Sequence, residues 1–399
     1  MDNEANFKCK ELIKMINTNQ SSKESSAVYI HIPFCEHICY YCDFNKVFLE
    51  GQPVDEYVDL LIKEMELTAA KGPIAPVDTV FVGGGTPTTL NEAQIARLCT
   101  AIHNILPLKK DIEFSFEANP GDLSLSKLQA MQDHGVNRIS MGVQSFNNEL
   151  LKKIGRIHTV KDVYQSVENM RKIGFENVSI DLIFSLPGQT EADFQDTLKQ
   201  ALDLDLPHYS AYSLIIEPKT IFYNLMQKGK LFLPGQDAEA NMYDLLLNEM
   251  EKHGRKQYEI SNFAKEGFQS KHNITYWSNE HYYGFGAGAH GYVGNTRYSN
   301  FGPIKKYMEP LQKNILPTFQ QKELTLKEKM EEEMFLGLRK VDGVDKKHFK
   351  QKFGQDLDAT FANAIQKTTA KGWLENNEEN VALTRSGRFL GNNVFQEFL

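Results

Sequence analysis

Apolar positions follow two alternating rhythms from residue 27 onward. Short runs dense in Val, Ile and Phe near 28–33, 77–83, 112–118, 138–143, 178–184 and 209–216 predict six strands. Between them, apolar residues recur at three- and four-residue intervals over 54–70, 92–105, 124–133, 160–172 and 191–204, the period of amphipathic helices. Strand and helix in regular alternation predict an α/β fold with a parallel sheet, and six such units fit an open (β/α)6 barrel. In barrels of this kind the functional groups gather where strands end and loops begin. The residues just past each strand are therefore the ones to inspect.

Three stretches lie outside that rhythm and set the expected domain organisation. Residues 1–26 are polar and Ser-rich apart from a short amphipathic piece near Phe7 to Ile16, which predicts a disordered extension before a core over 27–219. Residues 220–315 are rich in Tyr, Gly and Asn without a clean repeat of either period, and read as a segment wrapping the core. Over 316–399 the helical pattern returns and closes on Trp373-Leu-Glu-Asn-Asn-Glu-Glu-Asn-Val-Ala-Leu383, which predicts a hairpin. The expected C-terminal domain is mainly helical and winged-helix-like.

Charge narrows the range of partners. With 44 Lys and Arg against 52 Asp and Glu, the formal net charge is -8, and the winged region lacks a basic face. Both features argue against nucleic acid. No apolar run reaches the roughly 18 residues of a membrane span, and the N-terminus has no secretory apolar core, so the expected location is the cytoplasm.

Five cysteines are present, and Cys35, Cys39 and Cys42 fall within eight residues directly after the first strand. A chain of 399 residues has core enough without disulfides, so this C-x3-C-x2-C loop points to metal. Thiolates suit iron–sulfur clusters and zinc. Zinc would want a fourth ligand, which His31 or His37 could supply. Three thiolates on a 4Fe-4S cluster leave one iron open for an exchangeable ligand.

The C-x3-C-x2-C loop resembles the signature of the radical S-adenosylmethionine (SAM) superfamily. Its flank, Tyr29-Ile-His-Ile-Pro-Phe-Cys35, is similar to that of the oxygen-independent coproporphyrinogen III oxidase-like family, and the resemblance spans nearly the whole chain. It implies a partial radical-SAM barrel, a 4Fe-4S cluster on Cys35, Cys39 and Cys42, and SAM as the open iron's ligand. Gly83-Gly-Gly-Thr-Pro-Thr88 looks like that family's site for the SAM amino group. By the same resemblance Tyr29, Gly84, Gly85, Thr86, Glu117, Gln144, Arg156 and Asp181 contact SAM. Chemistry is consistent with that set: carboxylates accept from an ammonium and ribose hydroxyls, and Arg156 can pair with the methionyl carboxylate.

The family includes decarboxylases and heme chaperones, and two features separate them here. The decarboxylases carry a fourth cysteine where this chain has Phe44, and His272-Asn-Ile-Thr-Tyr-Trp277 resembles the H-N-x-x-Y-W motif of the chaperone branch. An imidazole can ligate heme iron and Tyr276 and Trp277 offer flat apolar faces. The expected function is a chaperone that binds heme, with His272 as a heme-binding residue and His281 and His290 as competitors, and passes it to acceptor heme proteins, respiratory ones among them. The alternative is radical-SAM decarboxylation of coproporphyrinogen III. The resemblance also makes a homodimer reasonable.

Overall fold

The computed structural model describes residues 26–399. The extension expected over residues 1–26 lies outside the described residues except for Ser26, which opens the first strand. Six strands run parallel in chain order: β1 (Ser26–Ile32), β2 (Val77–Gly84), β3 (Leu108–Ala118), β4 (Arg138–Gln144), β5 (Asn177–Phe184) and β6 (His208–Ser213). Register carries the apolar positions across the sheet: Ile30 pairs with Val82, Val82 with Phe116 and Phe116 with Ile139. All four side chains are buried, as expected where helices cover a parallel sheet.

The helices that connect these strands are α1 (Val54–Lys71), α2 (Glu92–Ile105), α3 (Leu125–Asp133), α4 (Val160–Ile173) and α5 (Glu191–Asp203). Local chemistry sets their ends. Asn91 with Gln94 and Thr190 with Asp193 form reciprocal capping boxes at the starts of α2 and α5. Gly174, with φ of 98°, closes α4 in the left-handed region that glycine enters without penalty. Leu98, Met131, Met170 and Phe194 from the inner helix faces join the strand residues in one core.

The stretch expected to wrap the core without regular period extends the sheet instead. It supplies β7 (Lys256–Glu259), β8 (Asn262–Ala264), β9 (Tyr282–Phe285), β10 (His290–Val293) and β11 (Thr296–Asn300), and β12 (Thr318–Glu323) follows. Sheet order is β12-β11-β10-β9-β1-β2-β3-β4-β5-β6-β8-β7. Thus β9 lies parallel beside β1 and β8 antiparallel beside β6, so both edges of the six-strand core are extended. A short helix, α6 (Lys271–Trp277), connects the two extensions. Beyond β12, α7 (Leu326–Gly337) opens a C-terminal body with its own core around Met334, Leu338, Phe349, Val381 and Phe395. The hairpin expected over 373–383 consists of Leu374–Asn376 and Asn380–Leu383, with Val344–Asp345 adding a third short strand. No helix among the described residues is long and apolar enough to cross a membrane.

One buried carboxylate joins the late strands to the barrel. Glu64 on α1 accepts hydrogen bonds from the Gly286 amide at 2.8 Å, the Asn300 side chain at 2.6 Å and the Tyr307 hydroxyl at 2.6 Å. Tyr57, two turns earlier on the same helix face, donates to the His31 carbonyl and accepts from the Ala287 amide. Together they clamp the 286–289 turn against β1. Burial lifts the Glu64 pKa from 4.5 to about 7 despite the three donors. A folded-state value above the unfolded one means that the native state retains this proton longer, so the associated stability is present below about 4.5 and is lost as pH rises through about 7. Glu64→Gln should therefore flatten the fall in stability between pH 5 and 8, by about 3 kcal/mol at most. In either orientation of the new amide one of the backbone or side-chain N–H donors loses its acceptor, so the variant's curve is lower overall as well as flatter. Urea denaturation of wild type and variant across that pH range checks it; parallel curves would contradict the assignment.

Candidate functional site

Cys35 ends a two-residue ladder, Phe34–Cys35 paired with Val47–Phe48, which ties the two ends of the 36–46 loop together. The Leu49 amide donates to the Cys35 carbonyl and the Cys42 amide to the Cys39 carbonyl, and Lys46 reaches the Cys42 carbonyl. All three thiols are free. Burial raises the Cys35 thiol to about 11, and Cys42 is raised for the same reason, so a bound cation is needed to hold them as thiolates at neutral pH. Among the described residues no three His, Cys, Asp or Glu side chains close on one point as ligands of a single ion would. Thiolates that each take a different iron of a cluster stand farther apart.

The end of β2 lies directly against this loop. Gly85 donates its amide to the Ile32 carbonyl and Thr86 donates its amide to the Phe34 carbonyl, both at 2.8 Å. A Cβ on Gly85 would meet the Phe34 carbonyl oxygen at 2.8 Å and the Cys35 sulfur at 2.9 Å. Gly84 has φ of 123°, and a Cβ there would meet the His31 ring at 2.6 Å. Both positions therefore need glycine: one for proximity, the other for proximity and backbone conformation.

Strand ends β3 to β5 supply the polar wall. Glu117 is half-buried in the cavity wall, and the Gly84 amide at 2.9 Å is its one hydrogen-bond donor among the described residues. Its pKa rises to about 8, through desolvation first and the nearby Asp181 carboxylate. Asp181 is also raised by burial, against hydrogen bonds from Ser210 and Ser140. A cationic amino group is what such carboxylates lack. Gln144 sits at φ of 68°, a left-handed conformation uncommon outside glycine, at the point where β4 ends. Arg156 is fixed from several sides: it donates to Asn119 Oδ1 at 2.8 Å, to the Gly142 carbonyl, and to Cys39 Sγ at 3.5 Å. Its Nε is buried without a partner. Asn119 also donates to Thr86 Oγ1 at 3.1 Å, linking the arginine to the glycine loop.

These residues enclose a cavity of about 380 Å³ that contains Cys35, Cys39, Cys42, Gly84, Gly85, Thr86, Glu117, Gln144, Arg156 and Asp181. Ile215 joins it from just beyond β6, 63% exposed. Carboxylates with few donors, an Arg156 nitrogen unpartnered among the described residues and three thiols fit SAM together with a cluster. Tyr29 and His272 lie elsewhere. Both line an adjoining inner cavity of about 460 Å³, which shares Phe44, Gly84, Glu117, Ser140, Asp181 and Tyr212 with the first. Sequence reasoning missed Asn119, two residues past Glu117, and Ser140, four residues before Gln144 on the same strand.

His272 lies in that inner wall at 1% exposure. Thr79 Oγ1 bonds its Nδ1 at 2.7 Å and the Tyr276 hydroxyl its Nε2 at 2.9 Å, while Phe81 stacks on the ring at 5.1 Å. Burial lowers its pKa to about 3, so the ring is neutral. Glu113 holds the start of α6 by accepting the Lys271 and His272 amides. At the other end Trp277 packs under the Arg339 guanidinium, 5.0 Å from the ring centre, at the junction with the C-terminal body.

Comparison with known proteins agrees with this geometry. The Radical SAM superfamily profile matches residues 29–201, and the HemN C-terminal domain profile matches residues 324–390. A protein from Bacillus subtilis (strain 168) named heme chaperone HemW is 54% identical over 94% of this chain and 99% of its own length. Another of that name from Lactococcus lactis is 47% identical over 94% of this chain and 98% of its own length. The chain belongs to the HemW family of radical SAM proteins. Among solved structures, HemN from Escherichia coli, a coproporphyrinogen III oxidase, superposes with a TM-score of 0.83 at 25% identity, covering 96% of this chain and 92% of that one. The HemW-type motif at 272–277 therefore spans the inner cavity and the C-terminal body.

Because Gly85 has no room for a side chain, Gly85→Ala should push Cys35 out of place. Reconstituted under identical anaerobic conditions, the variant is expected to hold less than half the wild-type iron and sulfide per chain, with unchanged far-UV circular dichroism. Wild-type iron content in a folded variant would refute the contact.

Proposed function

We propose that this protein is a heme chaperone: it binds heme in the inner cavity and releases it to acceptor heme proteins in the cytoplasm. Cys35, Cys39 and Cys42 hold a 4Fe-4S cluster whose open iron takes SAM. When bound, the cluster can supply an electron to SAM. Gly84, Gly85 and Thr86 receive the amino end of SAM, Glu117, Gln144 and Asp181 its polar groups, Arg156 its carboxylate, and Tyr29 closes the wall from the inner side. His272 contributes to the heme-facing wall. Respiratory proteins are the expected recipients, and a second copy of the chain a plausible companion during transfer.

The observation that carries the reading is the inner cavity's lining and its contact with the cofactor cavity. Tyr29, Phe81, Tyr212, Tyr276, Tyr282 and Phe44 present aromatic surface suited to a flat macrocycle. Arg138, at 2% exposure, lines the same space with no carboxylate in ion-pair contact among the described residues, and donates instead to Asn177 and the Phe268 carbonyl. A buried guanidinium with no contact ion pair, its charge offset only at longer range by Asp181 on the same wall, suits a carboxylated ligand such as a porphyrin. Phe44, 60% exposed, stands at the junction of the two cavities.

The likeness to HemN favours a second reading, decarboxylation of coproporphyrinogen III. One reconstituted sample separates the two. The chaperone reading expects one equivalent of heme bound and no protoporphyrinogen IX formed from coproporphyrinogen III with SAM and reductant. Turnover without saturable heme binding would reverse that choice, and a single zinc in place of iron and sulfide would overturn both. Arg156→Ala is expected to weaken SAM binding roughly tenfold or more, measured by equilibrium dialysis on cluster-loaded protein.

A further inference from the structure

We infer that His290 is the residue that ligates the iron of heme in the inner cavity, an assignment that rests on the heme-binding reading above. Four imidazoles line that cavity: His31, His208, His272 and His290. An axial ligand needs a ring nitrogen whose in-plane lone pair points at the metal, and a nitrogen already in a hydrogen bond does not offer one. His31 is bonded by the Tyr29 hydroxyl at 3.0 Å and the Asn45 carbonyl at 2.7 Å. His208 is held by Ser179 Oγ at 2.7 Å and the Tyr258 hydroxyl at 2.8 Å. His272 is bonded by Thr79 and Tyr276. Both nitrogens are engaged in each of these three rings.

His290 differs on every count. It is exposed at the cavity's edge, and its ring makes no hydrogen bond among the described residues. Burial and the nearby Arg297 charge both lower its pKa, which favours the neutral form that binds metal. Its backbone is nevertheless well fixed. His290 pairs with Ser299 across β10 and β11, the Asn300 amide donates to the Ala289 carbonyl at 2.9 Å, and Glu64 holds Gly286 at the start of the turn. An unengaged imidazole at the start of a strand, just past a fixed turn and beside an aromatic cavity, is the arrangement a heme ligand requires. His272 then acts as a positioning residue, holding α6 and Tyr276 against β2.

The test uses full-length, cluster-loaded protein titrated anaerobically with ferric heme, read by the Soret band and by the electron paramagnetic resonance signature of the bound iron. His290→Ala is expected to weaken heme binding at least tenfold and to lose the imidazole-type signature, and added free imidazole should restore that signature. His272→Gln should keep the wild-type ligand signature. Iron content and circular dichroism verify that each variant is folded. A wild-type signature in His290→Ala overturns the assignment, as does loss of the signature in folded His272→Gln alone. Absence of heme binding in wild type would remove the chaperone reading itself, and this inference with it.

Discussion

The site depends on a backbone contact: the Gly85 and Thr86 amides bonded to the carbonyls of Ile32 and Phe34, with no space for a side chain between them. The hydrogen bonds themselves are open to any residue, but a Cβ at position 85 would meet the Phe34 carbonyl oxygen and the Cys35 sulfur, so the position needs glycine. The contact sets the position of Cys35 relative to β2. From there Thr86 reaches Asn119, Asn119 reaches Arg156, and Arg156 reaches Cys39, so a chain of hydrogen bonds spans the cofactor cavity from one cysteine to another. The carboxylates of Glu117 and Asp181 stand within that frame with fewer donors than a buried charge needs. Desolvation raises the pKa of both, so each carboxylate is costly to ionise without a further donor or cation beside it.

The inner cavity depends on a second set of buried polar contacts. Glu64 and Tyr57 tie the 286–289 turn to the barrel, while Glu113 and Thr79 tie α6 to the neighbouring strands. Tyr276 and Trp277 then divide their contacts, one toward the cavity and the other toward Arg339 in the C-terminal body. The segment at 272–277 thus joins two parts of the molecule. A motif that reads as a ligand set in one dimension serves in three as a joint with its histidine saturated.

Much of the barrel was legible because its signals are local. Runs of Val, Ile and Phe of seven or eight residues and the three- to four-residue spacing of apolar positions between them each act within a few residues of themselves. Strands β7 to β12 gave no such signal. They are three to six residues long, too short for a period of two to register, and the pairings that attach them to the core are distant in the chain, as with Tyr29 and Gly284 or Tyr209 and Phe263. The sixth strand ends at Ser213 rather than near 216 because its partner β5 stops at Phe184.

The candidate site divides along the same line. Cysteine spacing, the glycine run and the polar residues at successive strand ends are features of order along the chain, and barrel topology carries them to one mouth without further information. Sequence by itself therefore determined the three-cysteine loop, the polar strand ends beside it and the Phe44 that stands where a further thiol could have been. Only the tertiary structure decided which histidine is available. Whether an imidazole can take a metal depends on what occupies its nitrogens, and Thr79 and Tyr258 reach His272 and His208 from strands and turns distant in the chain. Hydrogen-bond saturation is a property of packed neighbours, and residue order alone does not contain it.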